Sequence, residues 1–175
     1  APVFVFLAGT LVFLQSLRKS KEELSPFLFK RGLWLMIIEI VVVTFAWTFD
    51  FTFPVIVLGV IWAIGVSLFL MGFIIRLPFY AILLSGLAIV FGHNIFDYID
   101  STHSGFAWDL IRNGHFARHT LIPGHDVLIV YPFLPWLGLM MVGYGFGKFY
   151  TPDYSPVQRK KFLLILAPAA FRGFF

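Results

Sequence analysis

The sequence predicts an all-α fold, a polytopic transmembrane helix bundle, and three observations predict it. Hydrophobic residues make up 59% of the chain and charged residues only 13%, against roughly a quarter charged in soluble domains, and the mean hydropathy is +0.89. Phe alone occurs 23 times in 175 residues, more rings than a water-soluble chain of this length hides without large apolar patches. The charged residues fall in short segments between apolar runs, several of them close to the ~20 residues that a spanning helix needs.

Taken in order, the first run extends from Ala1 to Leu17, the second from Gly32 to Phe49, the third from Pro54 to Ile75 and the fourth from Leu77 to about Phe96. After a polar stretch come a fifth, Leu128 to Phe149, opened by Tyr131-Pro132-Phe133-Leu134-Pro135-Trp136, and an incomplete sixth, Phe162 to Phe175. The chain enters an apolar run at Ala1 without the charged leader of a signal peptide and stops inside another. Both ends are therefore expected to be cuts in a longer protein, with residues 1–175 forming one membrane domain.

Loop charge sets the expected orientation. Arg18, Lys19, Lys21, Lys30 and Arg31 lie between runs one and two, Arg76 between three and four, and Lys148, Arg159, Lys160 and Lys161 between five and six. These alternate loops belong in the cytoplasm by the positive-inside rule, which makes the stretch from Asp97 to Val127 an external or luminal loop. Trp47, Trp108 and Trp136 fall near that outer boundary. The expected localisation is an integral, multi-pass membrane protein, in the inner membrane if the source is bacterial. The basic residues form no single stripe, so the net charge of +4 does not point to nucleic acid. The lack of Cys excludes disulfides, thiolate metal sites and cysteine nucleophiles.

Four sets of residues can carry chemistry. Glu39 lies eight residues into the second run, near the expected midplane, where an unpaired charge would cost at least ~2.5 kcal/mol. It reads either as an acid/base or proton-relay group or as an interhelical hydrogen-bond partner. In Gly92-His93-Asn94-Ile95-Phe96-Asp97, His93 and Asp97 are four apart on one helix face, so Asp97 can orient His93 as a general base or nucleophile; the alternative is a helix-capping histidine. The loop adds His103, His115, His119 and His125, with His115 and His119 at i,i+4, but two such histidines without a third ligand are weak support for a metal, and none is expected. Arg31 and Arg76, each at the entrance of a run, can grip the phosphates of an anionic donor, although topology alone also explains basic loops.

Read in order, Ala1-Pro2-Val3-Phe4-Val5-Phe6-Leu7-Ala8-Gly9-Thr10, Lys30-Arg31-Gly32-Leu33-Trp34-Leu35 leading to Glu39, Val60-Ile61-Trp62-Ala63-Ile64-Gly65, Gly92-His93-Asn94, Tyr131-Pro132-Phe133-Leu134-Pro135-Trp136 and Gly143-Tyr144-Gly145-Phe146-Gly147 resemble the heparan-alpha-glucosaminide N-acetyltransferase catalytic-domain family, nearest its bacterial members. The resemblance implies an acyltransferase that takes acetyl from cytosolic acetyl-CoA and delivers it to an amino sugar or other glycan across the membrane. The implied partners are the lipid bilayer, the acyl donor and the glycan acceptor, with a homo-oligomer left open. The family's best-known catalytic His belongs to a region before Ala1, so that role has no matching position and is not transferred to His93. Acetyl transfer to an amine needs proton removal and oxyanion stabilisation, and Asn94 is a candidate oxyanion donor. Two other classes stay open on the residues alone: a proton-coupled transporter or flippase with Glu39 titrating, and a non-catalytic membrane subunit.

Overall fold

A computed structural model describes residues 2–92, 105–114 and 116–152. Helix α1 (Pro2–Ser16) is followed by α2 (Lys21–Ile38), which starts where Ser20 caps it: the Ser20 hydroxyl accepts the Glu23 N–H at 3.3 Å. Glu22 and Glu23 add negative charge at that helix's positive end. The helical path widens into a π-turn at Glu39–Val43 and continues as α3 (Thr44–Thr48), which ends at Phe49 in the left-handed region (φ 49°). Strand β1 (Val55–Leu58) leads through Gly59 into α4 (Val60–Ile74), and α5 (Phe79–Gly92) follows. Further on come a short turn of helix, α6 (Phe106–Trp108), a second π-turn (Asp109–Asn113), strands β2 (Ala117–Ile122) and β3 (His125–Ile129), and α7 (Phe133–Gly147).

The main core joins α1, α2, α4, α5 and α7 through Val5, Leu24, Leu28, Met71, Ile82 and Met140, among others. Small residues let the helix backbones meet. A Cβ at Gly9 would collide with the Met140 carbonyl of α7, and one at Gly143 with the Phe6 carbonyl of α1. Between them the Thr10 hydroxyl donates to the Gly143 carbonyl at 3.0 Å. Gly32 and Gly65 make the same close approach between α2 and α4, where the Ser25 hydroxyl also donates to the Gly72 carbonyl at 2.6 Å. With small residues turned inward, many large apolar ones face outward, including Phe4, Trp47, Phe49, Phe51 and Phe91.

The strands form one sheet in the order β1-β3-β2, with β1 parallel and β2 antiparallel to β3. Leu58, Val127 and Ile129 make a second, smaller core, covered by Ile40, Ile56, Trp62, Phe106 and Leu110.

This architecture corrects the expected polytopic helix bundle. Among the described residues, no helix is long and apolar enough to cross a membrane, and a three-stranded mixed sheet stands beside the helices. Helices α1, α4 and α7 have 15 residues and α5 has 14, about 21–22 Å of rise against a ~30 Å hydrocarbon layer. Helix α2 has 18 residues but carries Lys21, Glu22, Glu23, Lys30 and Arg31. The third and fifth apolar runs fall short for a physical reason: each begins as a strand. Val55-Ile56-Val57-Leu58, between Pro54 and Gly59, and Val127-Leu128-Ile129 are apolar segments rich in β-branched residues and half-buried to buried, whose hydropathy alone does not separate strand from helix. The sixth run, with residues 93–104, lies outside the described residues.

Candidate functional site

The first π-turn is built around Glu39. Its main-chain carbonyl accepts both the N–H and, at 3.1 Å, the hydroxyl of Thr44, five residues on, which holds the turn wide. The Thr44 oxygen in turn accepts the Val57 N–H at 3.2 Å, and the Glu39 Oε1 accepts the Gly59 N–H at 2.7 Å. Strand β1 is an edge strand, so these two side chains satisfy N–H groups that β3 does not reach. Glu39 and Thr44 are both fully covered, at 2% and 0% exposure. Among the described residues, the second carboxyl oxygen, Oε2, is buried without a hydrogen-bond partner, as is the indole Nε1 of Trp62 on the first turn of α4. A buried carboxyl oxygen with nothing to donate to it is a natural place for a proton. The sequence found Glu39 as a lone acid in an apolar run; its partner Gly59, twenty residues away, left no comparable signal.

The second π-turn carries another acid. Asp109 Oδ2 lies 2.7 Å from His119 Nε2, joining the π-turn to strand β2. The Phe106 ring stands edge-on to the imidazole at 5.7 Å between centroids. Arg112, on the same turn, lies over the Trp108 ring at 5.2 Å. On the other face of β2, Arg118 and Thr120 both bind Asp126 of β3: Arg118 Nε and Nη2 reach Oδ2 at 2.6 and 2.5 Å, and the Thr120 hydroxyl donates to Oδ1 at 2.6 Å. The Thr120 and Arg118 hydrogen bonds hold the Asp126 carboxyl below its ordinary range. His125 Nδ1 donates to the Phe53 carbonyl at 3.0 Å.

Sequence spacing paired His119 with His115 at i,i+4 in a polar loop. Residues 117–122 form a strand instead, and His119 meets Asp109, a pairing that only the π-turn and the strand register produce. His115 and His103 lie outside the described residues, as do His93, Asn94 and Asp97.

Apart from Arg112 and Arg118, the cations with described contacts lie on or beside the helices. Lys21 Nζ donates to the Arg76 and Leu77 carbonyls at 3.3 Å, so the start of α2 meets the end of α4. Lys19 Nζ and the Arg31 guanidinium share the Phe27 ring, at 4.3 and 5.8 Å from its centroid, and Lys148 Nζ lies 5.1 Å over the Phe79 ring. Arg31 and Arg76 are both exposed but are not drawn together: Arg76 meets the start of α2, whereas Arg31 sits ten residues further along that helix, about 15 Å by helical rise.

The family model of the heparan-alpha-glucosaminide N-acetyltransferase catalytic domain matches residues 1–173. The chain belongs to that family. No curated protein and no solved structure matches it. The heparan-alpha-glucosaminide N-acetyltransferase family is membrane-associated and uses acetyl-CoA as acetyl donor. The exposed ammonium and guanidinium groups of Lys19, Arg31 and Arg76 fit the charge of such a donor, whose phosphates take charge-assisted hydrogen bonds.

Proposed function

We propose that this chain forms a membrane-resident acetyltransferase domain that moves acetyl from acetyl-CoA to the amine of an amino sugar or other glycan. The observation that carries the reading is the placement of charged groups: Lys19, Lys21, Arg76 and Lys148 lie about helix ends, with Arg31 further along α2, while Glu39, Asp109 and His119 stand at the sheet, where Arg118 is taken up by Asp126 and Arg112 lies over Trp108. Donor phosphates suit the first region, and handling of an amine proton suits the second. The donor supplies an acyl group already activated as a thioester. Arg31 and Arg76 would hold its phosphates, and Glu39 would hold or pass a proton at Oε2 while Oε1 stays fixed by Gly59. The outward Phe4, Trp47, Phe49, Phe51 and Phe91 favour residence against lipid, in the inner membrane if the host is bacterial.

The test is acetyl transfer from radiolabelled acetyl-CoA to glucosamine-type acceptors by membranes carrying the protein. Arg31→Ala and Arg76→Ala should each raise the KM for acetyl-CoA several-fold with little change in kcat. Failure to bind acetyl-CoA, with proton-coupled solute uptake indifferent to coenzyme A, would replace the reading by a transporter.

A further inference from the structure

We propose that His119, held by Asp109, is the base that takes the proton from the acceptor amine. The inference rests on the acetyltransferase reading and adds to it a site made of two residues that chain spacing does not pair. A carboxylate accepts hydrogen bonds, so the 2.7 Å contact of Asp109 Oδ2 fixes the imidazole proton on Nε2. Nδ1 is left with its lone pair and makes no hydrogen bond among the described residues. His125 differs in its partner, because its Nδ1 donates to the Phe53 main-chain carbonyl and, among the described residues, it has no carboxylate behind it to stabilise an imidazolium.

Position favours the same role. The Asp109 side chain is 12% exposed and that of His119 is 24%, so the imidazole is the more accessible member of the pair. Phe106 fixes the ring edge-on, and the pairing of His119 with Val127 fixes its backbone in the sheet. Asp109 starts a π-turn, as Glu39 does. Ile40, next to Glu39, and Leu110, next to Asp109, pack on the same small core of Leu58, Val127 and Ile129. Two acids are thus brought to one apolar cluster, one fully covered and one paired with a part-exposed histidine.

The nitrogen of a neutral primary amine bonds to the acetyl carbon, the carbon–sulfur bond breaks, and coenzyme A leaves with the electron pair on sulfur. One proton passes from the nitrogen to His119 Nδ1, Asp109 stabilises the imidazolium, and the proton then goes to the sulfur. The products are an N-acetyl amine and the free thiol.

His119→Gln keeps an N–H that can reach Asp109 but has no base, and Asp109→Asn presents an amide donor that shifts the ring proton to Nδ1. Both should lower kcat about 100-fold or more while leaving the KM for acetyl-CoA and the unfolding temperature near wild type. Nitrogen-15 NMR of labelled histidine, which needs no turnover, should show the Nε2–H tautomer for His119 in the wild type and Nδ1–H in Asp109→Asn. A purely structural pin between β2 and the π-turn predicts lost stability and unchanged kcat. Transfer within about threefold of wild type in His119→Gln, or a wild-type Nδ1–H tautomer, overturns the base and leaves the acetyltransferase reading standing. A wild-type protein that transfers no acetyl from acetyl-CoA overturns both.

Discussion

Glu39 Oε1 accepts the N–H of Gly59 at 2.7 Å, tying a π-turn to the point where an edge strand becomes a helix. Glu39→Ala would leave that N–H without its acceptor in a covered site and should cost about 1–3 kcal/mol. Glu39→Gln keeps an acceptor oxygen and should retain most of the stability. It should nevertheless lower acetyl transfer, since an amide cannot exchange a proton as a carboxyl does. Thermal unfolding followed by circular dichroism, beside turnover of the same two variants, separates the structural half of the role from the chemical half.

Gly59 is bound to the same arrangement from the other side. A Cβ there would run into Glu39 Oε1, whereas one at Gly92 or Gly105 meets nothing within 4 Å among the described residues. Gly59→Ala should therefore destabilise by about 1–3 kcal/mol through overpacking and should mimic the loss of turnover in Glu39→Gln. Gly92→Ala should be neutral or slightly stabilising by helix propensity. Equal unfolding temperatures for the two variants would contradict the tight fit at Gly59.

These contacts mark where the sequence was legible and where it was not. Helices α1 and α7 were visible as apolar runs, whereas the close glycines of α7, in Gly143-Tyr144-Gly145-Phe146-Gly147, entered only as part of the family resemblance, although small residues at four-residue spacing line one helix face. The strands were hidden inside runs that read as spans, since Val55–Leu58 is as hydrophobic as the helix that follows. Of the site, Glu39 stood out as an acid among apolar neighbours, but Asp109 with His119 did not. Each is unremarkable in a polar stretch until a π-turn and a strand bring them together. Arg31 read as an entrance cation only because the apolar run starts at Gly32; the helix itself starts at Lys21, so Arg31 lies inside α2, while Arg76 follows α4 and meets the start of α2.

The contact of α1 with α7 is governed by Gly9 and Gly143. Each lies so close to a carbonyl of the other helix that a methyl group forces the pair apart, and separation also breaks the 3.0 Å hydrogen bond from Thr10 to Gly143. Gly143→Ala should lower stability by about 1–3 kcal/mol or more, and Thr10→Val by about 1 kcal/mol. A double-mutant cycle should show strong non-additivity, because one displacement abolishes both interactions. Additive effects would mean that the two helices do not rely on this crossing.

The hairpin of β2 and β3 should respond to acid through Asp126. Its folded carboxyl titrates below the ordinary range because the Thr120 hydroxyl and the Arg118 guanidinium bind the ionised form. The unfolded carboxyl titrates near 4. Stability from this group is therefore fully present above that value and falls away as pH drops through the lower, folded value. Arg118 is 62% exposed, so the ionic part is also screened by salt. Asp126→Asn removes the charge and should flatten the acid limb of the stability profile. Denaturant midpoints measured from pH 6 to pH 2 for wild type and Asp126→Asn should converge at the acid end, and parallel curves across the whole range would refute the assignment.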